Sequence, residues 1–111
     1  MTTLSLSKLT CNRKRDVTGE DEIEIWLDSH LNWNNTIKKN QSRDLSLHQD
    51  FIHSIAVEIK ERNPNSAKSL GTRTIESHNP GQGPIDFNPL YRLRASLQRH
   101  LNTNQRWEPL I

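Results

Sequence analysis

The segment Glu22-Ile23-Glu24-Ile25-Trp26-Leu27-Asp28 limits the folding options of this chain more than any other. Its apolar residues Ile23, Ile25 and Leu27 alternate with acidic Glu22, Glu24 and Asp28. A pleated strand sends successive side chains to opposite faces, so this pattern gives one oily face and one wet one. Wound as a helix, the same residues would spread around the cylinder and bury no continuous stripe. Ser54–Lys60 repeats the pattern with Ile55, Val57 and Ile59 inward. Tyr91–Leu97 repeats it again, with Tyr91, Leu93, Ala95 and Leu97 inward and Arg92 and Arg94 outward. That last segment also has a helical alternative, because Leu93, Leu97 and Leu101 recur every four residues.

Weaker strand patterns cover Thr3–Cys11, Asn32–Lys38, Asp44–Leu47, Ser69–Ile75 and Pro84–Phe87. Leu4 and Leu6 share one parity; Leu9 and Cys11 share the other. Burying both pairs requires a bulge near Ser7-Lys8 to reset the register. Turn-forming runs such as Asn63-Pro64-Asn65-Ser66 and Asn79-Pro80-Gly81-Gln82-Gly83-Pro84 separate the segments. Short strands at about ten-residue spacing suggest a sandwich or a barrel, and the expectation is an antiparallel β-sandwich of seven to eight strands. The expected core includes Leu9, Ile23, Ile25, Leu27, Trp33, Ile55, Val57, Ile59, Leu70, Ile75, Phe87, Tyr91 and Leu93.

At 111 residues, one domain over 1–101 with a C-terminal tail over 102–111 accounts for the chain. The tail is polar except for Trp107, Leu110 and Ile111, so it frays or docks through Trp107. The single cysteine, Cys11, allows no internal disulfide. The first residues show no basic stretch followed by an apolar one, so the expected compartment is the cytoplasm.

The order of several small motifs resembles a known family. It runs Leu9-Thr10-Cys11-Asn12, then Asp16-Val17-Thr18-Gly19-Glu20-Asp21-Glu22, then a hydrophobic strand and Trp33. Phe51, the strand Ile55–Ile59, Glu61, Leu70-Gly71, Gly81-x-Gly83 and Tyr91-x-Leu93 follow in sequence. Together these are similar to small C2-like β-sandwich modules found in bacteria, over residues 4 to about 98. The resemblance implies acidic loops at one end of the sandwich that commonly hold calcium. The candidate metal residues are then Asp16, Asp21, Glu22 and Glu61. Yet the second loop departs from the family pattern: Arg62, Ala67 and Lys68 stand where acids are expected. Calcium takes six to eight oxygens, several of them carboxylates. A cation ~4 Å away costs a divalent ion roughly 8 kcal/mol at an effective dielectric near 20. The expectation is a degenerate calcium site in which Lys68 or Arg62 pairs with Asp16 or Asp21.

Other chemistry finds less support. The five histidines show no metal-ligand spacing and are expected on the surface. Gly81-Gln82-Gly83 leads into Pro84, which has no N–H to offer a phosphate. Cys11 shares its parity with Leu9 and reads as core, so no enzyme is expected.

Trp26 alternates onto the polar face with Glu24 and Asp28. There it is either an open contact anchor or covered by Trp107 or another strand. Arg92 and Arg94, with the loop run Arg13-Lys14-Arg15, offer a modest basic surface on a chain of net charge +2. These readings converge on a non-catalytic interaction module whose partner is another protein or a second copy of itself. Two alternatives stand beside it. One is a calcium-responsive module binding anionic membrane surfaces; the other is a weak nucleic-acid binder using the basic loop and the last strand.

Overall fold

A computed structural model of the chain describes residues 1–12, 21–38, 40–63, 66–78, 81–87 and 91–99. Eight strands follow one another: β1 (Thr2–Cys11), β2 (Asp21–Leu27), β3 (His30–Ile37), β4 (Ser42–Phe51), β5 (Ser54–Asn63), β6 (Ser66–Glu76), β7 (Gly81–Phe87) and β8 (Tyr91–Arg99). They form two four-stranded sheets, ordered β4-β1-β8-β7 and β3-β2-β5-β6. Every ladder between them is antiparallel. All eight strand segments expected from alternation are strands here, and β8 runs extended to Arg99 rather than turning helical.

The central strands carry the core. Leu4, Leu6, Leu9 and Cys11 of β1 face Ile23, Ile25 and Leu27 of β2, Ile55, Val57 and Ile59 of β5, and Tyr91, Leu93 and Ala95 of β8. Each of these is buried. A fully buried Leu or Ile contributes about 1.5–3 kcal/mol over its exposed state, so this interdigitated layer dominates folding. Both parities of β1 are inward because the register shifts between Leu6 and Lys8 in both of its ladders. Ser7 is exposed at the shift, which is the bulge that the parity change demands.

Some features escaped the pattern. Trp33, Leu70 and Ile75, expected in the core, are only partly buried and pack against its rim. They lie on the edge strands β3 and β6, where one flank of each side chain has no neighbouring strand. Ile37 and Phe51 take core places instead. β2 and β3 join through Asp28 and Ser29, both at positive φ (48° and 67°), as a two-residue hairpin with right-handed strand twist requires. Asp28 fits there because its side chain extends the ladder: the Ala56 amide donates to Asp28 Oδ1 at 2.8 Å, and the Asp28 amide to the Ala56 carbonyl at 2.9 Å.

Two arginines clasp the open sides of the sandwich. Arg43 of β4 donates Nε to the Thr36 carbonyl of β3 at 2.8 Å. Arg73 of β6 donates Nε and Nη2 to the Asp86 carbonyl of β7 at 3.1 and 3.0 Å. Each bond ties an edge strand of one sheet to an edge strand of the other. Residues 102–111, with Trp107, lie outside the described residues.

Candidate functional site

Three regions contain the residues singled out by sequence. The first is the end of the sandwich where β1 leads to β2 and β5 turns into β6. Asp21 opens β2 with the inward parity of Ile23. There the buried Tyr91 hydroxyl donates to Asp21 Oδ2 at 2.6 Å. Burial pushes the Tyr91 phenol far above its ordinary range, and the Asp21 carboxylate adds to the shift. Cys11 pairs with Tyr91 in the ladder and is itself buried. Glu61 also has inward parity, opposite Ile23 on one side and Lys68 on the other. Glu22 has the opposite parity, is exposed, and lies across from Arg62. The structure therefore brings Asp21 and Glu61 to one face and sends Glu22 to the other. Asp16 lies outside the described residues. Among the described residues, no group of three or more His, Cys, Asp or Glu side chains is arranged to hold a metal ion.

Arg62 is one of two cations expected to pair with Asp16 or Asp21. Its register opposite Glu22 puts it on the outer face of the sheet, away from the inward Asp21. It pairs with Glu24 instead.

That pairing belongs to the second region, the outer face of the β3-β2-β5-β6 sheet. Arg62 Nε lies 2.6 Å from Glu24 Oε2, and the Trp26 indole N–H donates to Glu24 Oε1 at 3.0 Å. Glu24 is 2% exposed although it sits on the nominally wet side of its strand. Residues two apart on a strand share a face. The Trp26 ring therefore lies beside Glu24 and shields it while supplying a donor. The Arg62 hydrogen bond holds the Glu24 carboxyl below its ordinary range against the opposing effect of burial, and the Trp26 bond helps. Lys60 Nζ sits 4.1 Å from the centroid of the Trp26 ring, a cation–π contact. Glu58 lies 4.0 Å from the same ammonium and accepts from the Ser69 hydroxyl at 2.6 Å. Trp26 is thus half-buried under Lys60 rather than fully open. Its cross-strand neighbour on β3 is Leu31, which is 47% exposed.

Sequence reasoning named Trp26 but missed Glu24, Lys60 and Leu31 as its surroundings. The available signal was the same-face spacing of Glu24 and Trp26. Leu31 needed the turn at Asp28-Ser29 to be recognised first.

The third region is the outer face of the β4-β1-β8-β7 sheet, where Arg92 and Arg94 are both exposed. Arg92 makes a two-point pair with Asp86, Nε to Oδ1 at 2.6 Å and Nη2 to Oδ2 at 3.2 Å. That bond lowers the Asp86 carboxyl and raises the guanidinium. Arg94 lies opposite Lys8 and Pro84, and Lys8 lies opposite Asp44. Lys8, Arg92 and Arg94 thus neighbour one another in the middle of this face, with Asp44 and Asp86 on its two edge strands. His30, His48, His53 and His78 are exposed, as expected of surface histidines.

Two four-stranded antiparallel sheets packed face to face, in this order, make a C2-like β-sandwich. Comparison with a solved structure agrees. The chain is similar to a structure of the two C2 domains, A and B, of Extended-Synaptotagmin 2, with a TM-score of 0.51 and 14% identity. The similarity covers 87% of this chain and 39% of that one. The chain matches no protein-family profile and no curated protein. Among the described residues, no helix is long and apolar enough to cross a membrane.

Proposed function

We propose that this chain is a non-catalytic interaction module. It engages a protein partner, or a second copy of itself, through the β3 edge and the adjoining Trp26 face, and it has no functional calcium site. The observation that carries the reading is the character of β3. This edge strand, His30–Ile37, contains no Asp, Glu, Lys, Arg or Pro. Exposed edges are normally blunted by charge, proline or bulges, because their free backbone groups recruit other strands. The other three edges carry such devices: Arg43, Asp44 and Asp50 on β4, Lys68 and Arg73 on β6, Pro84 on β7. β3 has only a bulge opposite Ile25 and Trp26, and it presents Leu31 to solvent.

The absence of catalysis is supported by the burial of Cys11, which has no solvent access for a nucleophile. Three features support the absence of calcium binding. Asp21 is committed to Tyr91, Glu22 faces away, and Lys68 stands across from Glu61.

The test is a photoreactive side chain placed at Leu31 in the cell that makes this chain, with Thr74 on the far edge as the control position. Cross-linking to protein at Leu31, foreign or identical, and not at Thr74, is the expected result. Label transferred from Leu31 to lipid or nucleic acid, or no protein adduct at all, overturns the proposal.

A further inference from the structure

One arginine fork has no acceptor, and it lies on the outer face of the β4-β1-β8-β7 sheet. Arg43, Arg62, Arg73 and Arg92 each donate to an oxygen: the Thr36 carbonyl, the Glu24 carboxylate, the Asp86 carbonyl and the Asp86 carboxylate. The exposed Arg94 side chain makes no hydrogen bond or ion pair with any described residue. Lys8, directly opposite it in the β1–β8 ladder, makes none either.

The surroundings account for this. Pro84 flanks Arg94 on β7 and has no acceptor on its side chain. Asp44 flanks Lys8 on β4 but is exposed and forms no ion pair with it. Asp86 already binds Arg92 at two points, and Asp50, toward the other end of β4, accepts from Thr3. β1 and β8 themselves contain no Asp or Glu. Like charges placed directly opposite destabilise an antiparallel pair. An oxyanion seated between Lys8 and Arg94 turns that repulsion into charge-assisted hydrogen bonds.

The two donors differ in shape, and this selects the anion. A guanidinium offers two parallel N–H groups to two oxygens, and an ammonium is a point charge for a third. A carboxylate spends both oxygens on the fork and brings a single charge. A phosphate monoester has three terminal oxygens and a charge of about −1.5 to −2 at pH 7, which matches two cations. An open sheet face encloses no whole metabolite, so it grips the phosphoryl end alone.

We propose that Lys8 and Arg94 together hold the phosphoryl group of a phosphate monoester on the outer face of the β4-β1-β8-β7 sheet. β3 and Trp26 belong to the other sheet, so this site stands or falls separately from the protein-docking reading.

NMR of the isotope-labelled chain, titrated with inorganic phosphate at constant ionic strength, tests the proposal. Saturable shifts centred on Lys8 and Arg94 are expected at millimolar phosphate. Arg94→Gln removes hydrogen bonds to a charged group and weakens binding by roughly tenfold or more. Lys68→Gln removes the same charge from the other sheet and leaves binding unchanged. Sedimentation with phosphatidylcholine vesicles, with and without phosphatidic acid, separates the sources of the phosphoryl group. Pelleting that needs phosphatidic acid and is lost in Arg94→Gln assigns it to a lipid headgroup; phosphate binding without pelleting assigns it to a soluble monoester. The proposal is overturned if neither phosphate nor phosphatidic acid binds, if the shifts centre elsewhere, or if Lys68→Gln weakens binding as much as Arg94→Gln.

Discussion

Glu24→Gln isolates the charge buried on the outer face of the second sheet. The substitution keeps the side-chain shape and leaves an oxygen for the Trp26 indole N–H. What changes is the bond to Arg62, from charge-assisted to neutral. Hydrogen bonds to charged groups contribute about 1.5–3 kcal/mol and neutral ones about 0.5–1.5. The expected loss at pH 7 is therefore about 1 kcal/mol, softened because the neutral amide is cheaper to bury. The sign of the pH dependence follows from the direction of the Glu24 shift. Its carboxyl is held lower in the folded protein than in the unfolded chain. Its contribution is thus fully present above the unfolded value of about 4.3 and is lost as pH falls through the folded value. Glu24→Gln should therefore cost most at neutral pH and progressively less in acid. Arg62→Met is the informative companion. It leaves a buried carboxylate without its cation and should destabilise more than Glu24→Gln at pH 7. Urea unfolding from pH 3 to 8, followed by tryptophan emission, reads both variants. A Glu24→Gln cost that is constant across that range would refute this account, and so would an Arg62→Met variant less damaging than Glu24→Gln.

Three further outcomes test other parts of the structure. Ile25→Ala empties a fully buried position between Ile59 and Trp33 and should cost about 2–5 kcal/mol in chemical denaturation; a loss well below that range would mean this layer is not the core. Gly71 sits at φ +140°, beside the register shift in the β5–β6 ladder. An added Cβ there would meet Phe87 at an ordinary 3.7 Å, so Gly71→Ala should lose about 1–3 kcal/mol through backbone strain rather than clash. A Gly71→Ala variant as stable as the parent would count against that conformation. Calcium added at millimolar concentration should leave the melting temperature unchanged, and a rise that grows with calcium would restore the metal reading.

The sheets were legible in the sequence because alternation is a local signal. Ile23, Ile25 and Leu27 declare their face without reference to any partner, and the switch from Leu4-Leu6 to Leu9-Cys11 even declares a bulge. What alternation does not encode is which sheet edge a strand occupies. Trp33, Leu70 and Ile75 have core chemistry and core parity, yet each lies on an edge strand and remains half-exposed. The same gap explains the outer face. Glu24 has solvent parity, and it is covered by Trp26 of its own strand together with Arg62 and Lys60 contributed by β5. Arg62 reaches Glu24 across 38 residues of chain, and no local pattern announces the pairing of β2 with β5. The candidate interface has the same origin. The neutrality of His30–Ile37 is plain in the sequence, but it acquires meaning only once β3 is known to end its sheet. In a central strand that composition would have no consequence, because both neighbours would already be in place. On an edge, with Arg43 closing one end and Leu31 open at the other, it is a place for a second strand to bind.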